Sequence, residues 1–370
     1  MLRVERVDVE RFHRSRDEWN RLVDRMPRPP IFCTWEWIHT WWTHFGKATE
    51  LIVLFIYRED ALVGIVPLAS RTMHADGSVL KGRVLDFCGS RDLYSDHMDV
   101  ISAGTDAAEC LDAAMRFLRT EYREWDVMQL SYVADDSALI AFVRGGSSPF
   151  PVSLRLASTA AFIPLEAGFS GFRETLSRGG RHNLKRLQSR LHGELGAVYA
   201  APNPESIPNA VAEVFDLHNR RATQKGTASN FQGEQLMRFH SDVATLANEA
   251  GNLRLRFVRS DGVAIATWYC FQVQNRVFTY QQGFDPEWEN RSVARVLLYD
   301  LIEEACKDGI KEIDMLRGGW EYKSHWTSQR RDLMTVTLYN HGTMGRLIQA
   351  TDRGRDMFAT VAKRLLRRNP

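Results

Sequence analysis

Two stretches of this chain repeat one β-hairpin pattern, and the repetition limits what the chain can fold into more than any other feature. In the first, LIVLFIY, the turn-like Arg58-Glu59-Asp60 and ALVGIVPL read as two β-branched runs joined by a short connection. In the second, LRLRFVR, Ser260-Asp261-Gly262 and VAIATWYCFQVQ read the same way. The two align without gaps at an offset of 202 residues, which places Phe55 on Phe257 and Gly64 on Ala266. Identity across the alignment is low, so the weight falls on the order of elements. Around the first hairpin the order is helix, hairpin, helix (Gly104 to Arg119) and strand (Trp125–Tyr132). Around the second come a further strand VFTYQQGF, a helix from Ser292 to Lys307 and the strand IKEIDML. Internal duplication of this kind signals two copies of one domain or a symmetric fold, and 370 residues exceed what one ordinary core supports.

The expected organisation is therefore an α/β (α+β) chain of two tandem domains, residues 1–155 and 156–342, with a basic amphipathic tail over 343–370. The boundary is drawn in the loop-like Gly-Gly-Ser-Ser-Pro stretch that begins at Gly145. A hydrophobic content of 44% and a charged content of 25% argue for folded domains over disorder. A net charge of +2 leaves any polyanion to be attracted by local patches, and no specific nucleic acid is expected. The charged opening MLRVERVDVERFHRSRDEW lacks the apolar core of a signal peptide, so a cytoplasmic location is expected. Five scattered cysteines without CxxC spacing disfavour a disulfide framework, and the single histidines His182, His218 and His325 suggest no metal site. Trp35, Trp37, Trp41 and Trp42 recur on a helix and read as packing residues, with a carbohydrate platform as the minority alternative.

Three stretches carry candidate chemistry. A helix that opens at Arg291-Ser292-Val293-Ala294-Arg295 would offer unpaired N–H groups and a positive dipole end to a phosphate, with Ser292 as a natural N-cap. The segment Asp314 to Lys323 crowds acid, phenol and ammonium groups directly after a strand. A helix with Leu184, Leu187 and Leu191 on one face carries Arg181, Lys185, Arg186 and Arg190 on the rest, either as a solvated surface or as a grip on an anionic acceptor. The C-terminal tail, with Phe358, Val361 and Leu365 among Lys363, Arg364, Arg367 and Arg368, suits peripheral contact with an anionic membrane or a packed helix.

Taken in order, Trp268…YQQGFDP, RSVARVLL and GIKEIDMLRGGWEYKSHW resemble the C-terminal domain of the cellulose-biosynthesis-associated (CelD-like) acetyltransferases of the GNAT superfamily, relatives of the Fem-type peptidyltransferases. The resemblance extends through LSRGGRHNLKRLQSRL, LHNRRATQKGTASNF and TWEWIHTWWTHFG, and so covers almost the whole chain. It implies two GNAT-like domains, each a mixed, largely antiparallel sheet flanked by helices. It also implies an acyl-CoA-dependent N- or O-acyltransferase, with acetyl-CoA or another acyl-CoA as donor and a sugar or lipid-linked acceptor in envelope or polysaccharide synthesis. An aminoacyl-tRNA-dependent ligase and a catalytically degenerate scaffold are the alternatives.

The donor's pyrophosphate would lie on residues 291–295, where this chain has Val293-Ala294 in place of the usual Pro-Gly. Backbone N–H groups of a bulged strand would polarise the thioester, which makes Tyr280, Gln281 and Gln282 cleft candidates. Glu321 or Asp314 would act as base, Tyr322 as acid, and Lys323 as a point charge for an anionic group. Trp268, Tyr280, Arg181 and Lys185 would contact the acceptor. Asp314 also reads as a cap of the strand-to-loop turn, and Glu321 with Lys323 as a solvated pair.

Overall fold

The hairpin repeat is preserved in three dimensions down to its irregularities. The computed structural model describes residues 2–366 apart from 77, 228 and 230, with side chains as far as residue 354. In chain order its elements begin with β1 (Arg3–Arg6), α1 (Val9–His13), α2 (Arg16–Val23), α3 (Trp35–Phe45), β2 (Glu50–Arg58), β3 (Ala61–His74), β4 (Lys81–Phe87) and β5 (Ile101–Ser102). There follow α4 (Ala107–Thr120), β6 (Val127–Ala134), α5 (Ala138–Arg144), β7 (Val152–Pro164), α6 (Gly168–Thr175), α7 (Arg178–Ser189), β8 (Val198–Ala200), α8 (Ile207–Gln224) and α9 (Glu234–Glu249). The chain continues with β9 (Leu253–Ser260), β10 (Val263–Val273), β11 (Arg276–Phe284), α10 (Val293–Lys307), β12 (Glu312–Arg317), α11 (Trp320–Lys323), β13 (Arg330–Tyr339) and α12 (Thr343–Leu366).

In the first hairpin Phe55 faces Ile65 and Ile56 faces Gly64, after which Tyr57 faces Leu62 and one residue of β3 is skipped. In the second, Phe257 faces Thr267 and Val258 faces Ala266, after which Arg259 faces Ala264. The bulge thus falls at the same step of both alignments. Glu59 and Asp261, equivalent at the 202 offset, both turn with positive φ, 55° and 50°. A bulge strengthens local twist and re-aims the strand beyond it, so its repetition is a shared design of the two copies.

The chain forms two compact units, but neither is contiguous. The first comprises the residues up to Arg28, Trp41–Ala157 and the chain from Asp332, and the second comprises Pro29–Thr40 and Ser158–Arg331. This differs from the sequence division in two places, because residues 29–40 belong with the second unit and 332–342 with the first. The reason is packing. On α3, Trp37 is fully buried among Phe32, Phe239, Phe271 and Tyr280 of the second unit. One turn later Trp41, also fully buried, donates its Nε1–H to Asp92 of the first unit at 2.8 Å.

Each unit is a mixed, largely antiparallel sheet flanked by helices, as expected. In the first, β1, β2, β3 and β4 are antiparallel, β4 runs parallel to β6, and β13 pairs antiparallel with β6. In the second, β8, β9, β10 and β11 are antiparallel, β11 runs parallel to β12, and β7 pairs antiparallel with β12. Parallel neighbours need a crossover, and α4 and α10 lie in the corresponding connections. In the second unit, Leu297, Leu301 and Ile302 of α10 pack on Val258, Ile265 and Ile313 of the sheet, all at most 2% exposed. Full burial of each such side chain stabilises by roughly 1.5–3 kcal/mol.

Leu184 and Leu191 are buried and Leu187 packs beside them, so the leucine face expected between the copies is real. The basic tail is the chain of α12, and its side chains from Phe358 onward lie outside the described residues. Among the described residues no helix is long and apolar enough to cross a membrane.

Candidate functional site

The second unit opens between its two parallel strands. β11 and β12 pair only over Arg276–Phe278 and Glu312–Asp314, and beyond these residues they diverge. Two irregularities drive them apart. In β11, Tyr269 of β10 faces Gln281 while the next residue, Cys270, faces Thr279, which leaves Tyr280 as the extra residue of a bulge. In β12 the register against β7 shifts between Asp314 and Arg317, and Leu316 adopts a φ of 58°. A cavity of about 190 Å³ lies beside this opening.

Four elements wall the cavity. Trp268, Gln282 and Phe284 come from the sheet, Ser292, Val293, Ala294, Arg295 and Leu298 from the start of α10 with Glu289 from the loop ahead of it, Tyr322, His325 and Trp326 from α11 and the turn after it, and Arg221 from α8. α8 can lie this close because residue 283 is glycine, where an added Cβ would stand 2.6 Å from the His218 backbone nitrogen. It also fixes the loop ahead of α10, with Arg220 2.9 Å from Asp285 and Gln224 donating to Glu289 at 3.0 Å.

The start of α10 is presented to the cavity without a side-chain cap. Ser292 stands at the N-cap position with a left-handed φ of 54°, yet it makes no side-chain hydrogen bond to the helix. The first turn holds no acidic residue, so its unpaired N–H groups and dipole remain available to an anion. Val293 is 1% exposed in the core, which leaves Ala294 as the one of the pair whose methyl adds bulk where glycine is usual. The Ala294 carbonyl accepts from Trp268 Nε1 at 2.9 Å, which ties the helix start to β10.

Two guanidiniums face the same space. Arg295 lies over the Trp326 ring at 5.9 Å and Arg221 over the Phe284 ring at 5.4 Å. Both have a buried Nε with no hydrogen-bond partner among the described residues. Burial pulls the Arg221 guanidinium below its usual pKa, while the phenol of Tyr322 and the carboxylate of Glu289 partly oppose that shift. Elsewhere in this unit Arg254, Arg256, Arg259, Arg276 and Arg331 are each matched to carboxylates.

Gln282 contributes backbone polarity. Its N–H donates to the side-chain oxygen of Gln281 at 3.3 Å, and its carbonyl accepts from His218 Nδ1 at 3.2 Å. Desolvation lowers the His218 pKa, and a neutral ring whose Nδ1 carries the proton suits this bond. Burial pushes the Tyr322 phenol up to about 12, so it is protonated at neutral pH. Its position depends on Gly319, where an added Cβ would stand 2.6 Å from the Tyr322 ring.

Three expected site residues have other work. Asp314 is fully buried, lies 3.2 Å from Arg276 and 2.9 Å from Arg331, and accepts the Leu316 N–H at 2.8 Å. That is a structural ion pair and a turn cap, not a free base. Lys323 is 3% exposed and donates to the carbonyls of Met315, Leu316 and Arg317 at 2.6, 2.9 and 3.0 Å. Its three protons are spent on the carbonyls that the irregular end of β12 leaves open, and burial lowers its pKa to about 8. Arg181 Nη1 donates to the carbonyls of Arg173 and Leu176 at the end of α6, at 3.1 and 2.8 Å.

Of the remaining candidates, Trp268, Gln282, Ser292, Val293, Ala294, Arg295 and Tyr322 line the cavity. Tyr280 packs instead against Trp37 and His240, and Arg291 lies over Trp288 at 4.2 Å. Gln281, Glu321 and the exposed Lys185 do not line it. Arg221, Phe284, Glu289, Leu298, His325 and Trp326 were not chosen as site residues from sequence. Arg221 follows the buried Leu217 by four positions, a spacing that places both on one side of a helix and could have pointed to it. Among the described residues no group of three or more His, Cys, Asp or Glu side chains is placed to hold a metal ion.

Residues 178–324 match the acetyltransferase (GNAT) domain family, a span that contains every residue of this cavity except the last two, His325 and Trp326. No curated protein matches the sequence. Among solved structures the chain is similar to FemX, at 8% identity over 91% of this chain and 98% of that one, with a TM-score of 0.64. It is similar to the C-terminal domain of a putative lysylphosphatidylglycerol synthetase from Agrobacterium fabrum, at 9% identity over 92% and 96% with a TM-score of 0.57. The L-PGS of Bacillus licheniformis matches at 13% identity over 94% and 97%, with a TM-score of 0.53. Identities this low speak for the fold alone.

Proposed function

We propose that the chain is an acyl-CoA-dependent acyltransferase that delivers its acyl group to an amine or hydroxyl of a sugar or lipid-linked precursor for the cell envelope or an exported polysaccharide. The observation that carries this reading is the uncapped start of α10, open to a cavity beside diverging strands and accompanied by Arg295. The GNAT domain match supports acyl transfer, and the resemblance to cellulose-associated acetyltransferases supports the acceptor class.

In this reading the donor's phosphates rest on the N–H groups of the first turn of α10 and on Arg295. The Gln282 N–H exchanges the Gln281 side chain for the thioester oxygen and stabilises the charge that develops there. The acceptor nitrogen or oxygen bonds to the carbonyl carbon and the C–S bond breaks. The departing thiolate takes the phenol proton of Tyr322, and the acceptor's proton passes to water, from which Tyr322 is reprotonated.

Calorimetry with acetyl-CoA and longer acyl-CoAs tests this, with Ala294→Asp as the informative variant. A carboxylate at a helix start favours the helix while repelling a phosphate, so the variant should melt no lower than the parent and bind acyl-CoA at least tenfold more weakly. A folded parent protein that binds no acyl-CoA would sink the reading.

The commitment of Asp314 and Lys323 to internal bonds favours a second reading, a scaffold that has lost catalysis. Acyl-CoA binding without turnover on any acceptor, together with a cellular role that survives Tyr322→Phe, would select it. Transfer from aminoacyl-tRNA with no response to acyl-CoA would instead select the ligase alternative.

A further inference from the structure

The donor reading uses the α10 start, Gln282 of the sheet and Tyr322 of α11, and leaves the α8 wall of the cavity unexplained. On the α10 side, the helix start and Arg295 account for one anion. On the α8 side, Arg221 brings a second guanidinium to the same cavity, with a buried Nε that has no partner among the described residues and no carboxylate within ion-pair distance. The acid on the cavity wall, Glu289, accepts from Gln224 Nε2 at 3.0 Å and offsets the Arg221 charge only in part.

A cation taken out of water without a counter-ion is costly, and five arginines on the strands of this unit avoid the cost. Arg254, Arg256 and Arg259 on β9 and Arg276 and Arg331 around β12 all have carboxylate partners. Arg221 is also held in place. Its guanidinium lies against the Phe284 ring, and α8 is fixed by the close approach at Gly283 and by the Arg220–Asp285 pair. A cation that is partly buried, fixed and without an ion-pair partner at a cavity wall is placed to receive an anion from outside the protein.

Position indicates which ligand carries that anion. With the donor's phosphate on α10 and its carbonyl at the Gln282 N–H, the acceptor must reach the carbonyl from the remaining wall, and that wall is α8. We propose that the acceptor is itself an anion, a carboxylate or a phosphate ester, and that Arg221 grips it and selects it over neutral amines and alcohols. The proposal rests on the donor reading for the direction of approach, and on the geometry of Arg221 alone for the existence of a second anion subsite.

The test titrates inorganic phosphate and, separately, acetate into the full chain saturated with acetyl-CoA, followed by calorimetry and by melting temperature. Phosphate or acetate should bind to the donor-saturated parent, and the better of the two identifies the acceptor's acid. Arg221→Gln should weaken that binding at least tenfold while acetyl-CoA affinity stays within twofold, and Arg221→Lys should recover part of the loss. Arg295→Gln should show the reverse pattern. Arg221→Lys also serves as the folding control, since it keeps the charge and most of the side-chain volume.

The proposal is overturned if neither anion binds, if Arg221→Gln binds them as well as the parent does, or if Arg221→Gln weakens acetyl-CoA to the same extent. The last result would return Arg221 to the donor subsite. If acetyl-CoA fails to bind while anion binding still depends on Arg221, the donor reading falls and the second anion subsite stands.

Discussion

Both units separate a parallel pair of strands, and they treat the gap in opposite ways. In the first, β4 and β6 pair over two steps only, Val84 with Val127 and Leu85 with Met128. The long connection over residues 88–106 then turns back onto these strands. The His97 N–H donates to the Tyr132 carbonyl at 2.9 Å, and Arg91 bonds Gln129 of β6 at 2.8 Å. Ser95, Asp96, His97 and Asp99 of that connection are all buried. In the second unit the corresponding connection, residues 285–292, is too short to turn back, and the cavity remains.

The crossover helices differ in the same sense. The helix α4 begins beside Asp106 and carries Glu109 in its first turn, both paired with Arg58 at 2.8 Å. The start of α10 has no acid. Neither start has a side-chain cap, but one copy fills its own with two carboxylates held by Arg58, and the other leaves it free of acids. Duplication provides two equivalent openings, and loop length with one or two charges decides which of them becomes a site.

Four measurements bear on this contrast. The largest effect is expected from Asp314→Ala, which removes one of the two carboxylates that Arg276 and Arg331 share, leaving only Glu312, and should lower unfolding stability by about 3 kcal/mol. Hydrogen exchange should place the loss in the second unit, and an equal loss in the first would break the separation of the two. Asp99→Ala removes the acceptor for the N–H groups of Val100, Ala138 and Leu139 and should cost roughly 2–3 kcal/mol in the first unit. Calorimetry of that variant should still give one acyl-CoA per chain, whereas two would mean that the filled opening is a latent site.

Acid should act on the units with opposite sign. His240 is fully buried in the second unit and its pKa falls to about 3. Between pH 6.5 and 3 the unfolded chain binds a proton there that the folded chain refuses, so stability falls by up to about 1.4 kcal/mol per pH unit as pH drops. In the first unit burial raises Asp86 and Asp99 to about 6. Between pH 6 and 3.8 the folded carboxyls hold protons that the unfolded ones release, so stability rises as pH drops. Exchange rates measured for each unit at pH 6.5 and 5 should diverge, and His240→Phe should flatten the slope of the second unit only.

The smallest effect is expected from Trp268→Phe, which removes the bond to the Ala294 carbonyl and should cost about 1 kcal/mol while loosening acyl-CoA binding a few-fold. The equivalent residue of the first unit, Val66, has no such link to make, and its replacement by alanine should leave acyl-CoA affinity unchanged.

The hairpins were legible in the sequence because β-branched runs and turn residues report local geometry, and the alignment extends to a shared bulge and a shared positive φ. Which residues belong to which unit was not legible. Trp37 and Trp41 look alike as sequence, and only packing assigns them to different cores. The start of α10 was placed correctly from its residue types, because a helix start is a local event. Lys323 and Asp314 look in sequence as much like chemistry as like structure, because a sequence shows which groups are near and not where they point. One points to three carbonyls and the other to two arginines. Arg221 escapes a sequence reading for the converse reason: two adjacent arginines in a helix are ordinary, and the lack of a counter-ion at the second exists only in three dimensions.

The interleaved segments also set an order of events during synthesis. The second unit has all its residues once Arg331 has been made, while the first, although it starts the chain, lacks β13 until Tyr339 is added. The half translated first is thus completed last. Until the final strand reaches β6, the nascent first unit exposes an unpaired sheet edge to its surroundings. A chain ending at Arg331 would therefore carry every residue of the second unit beside a first one that still lacks that strand.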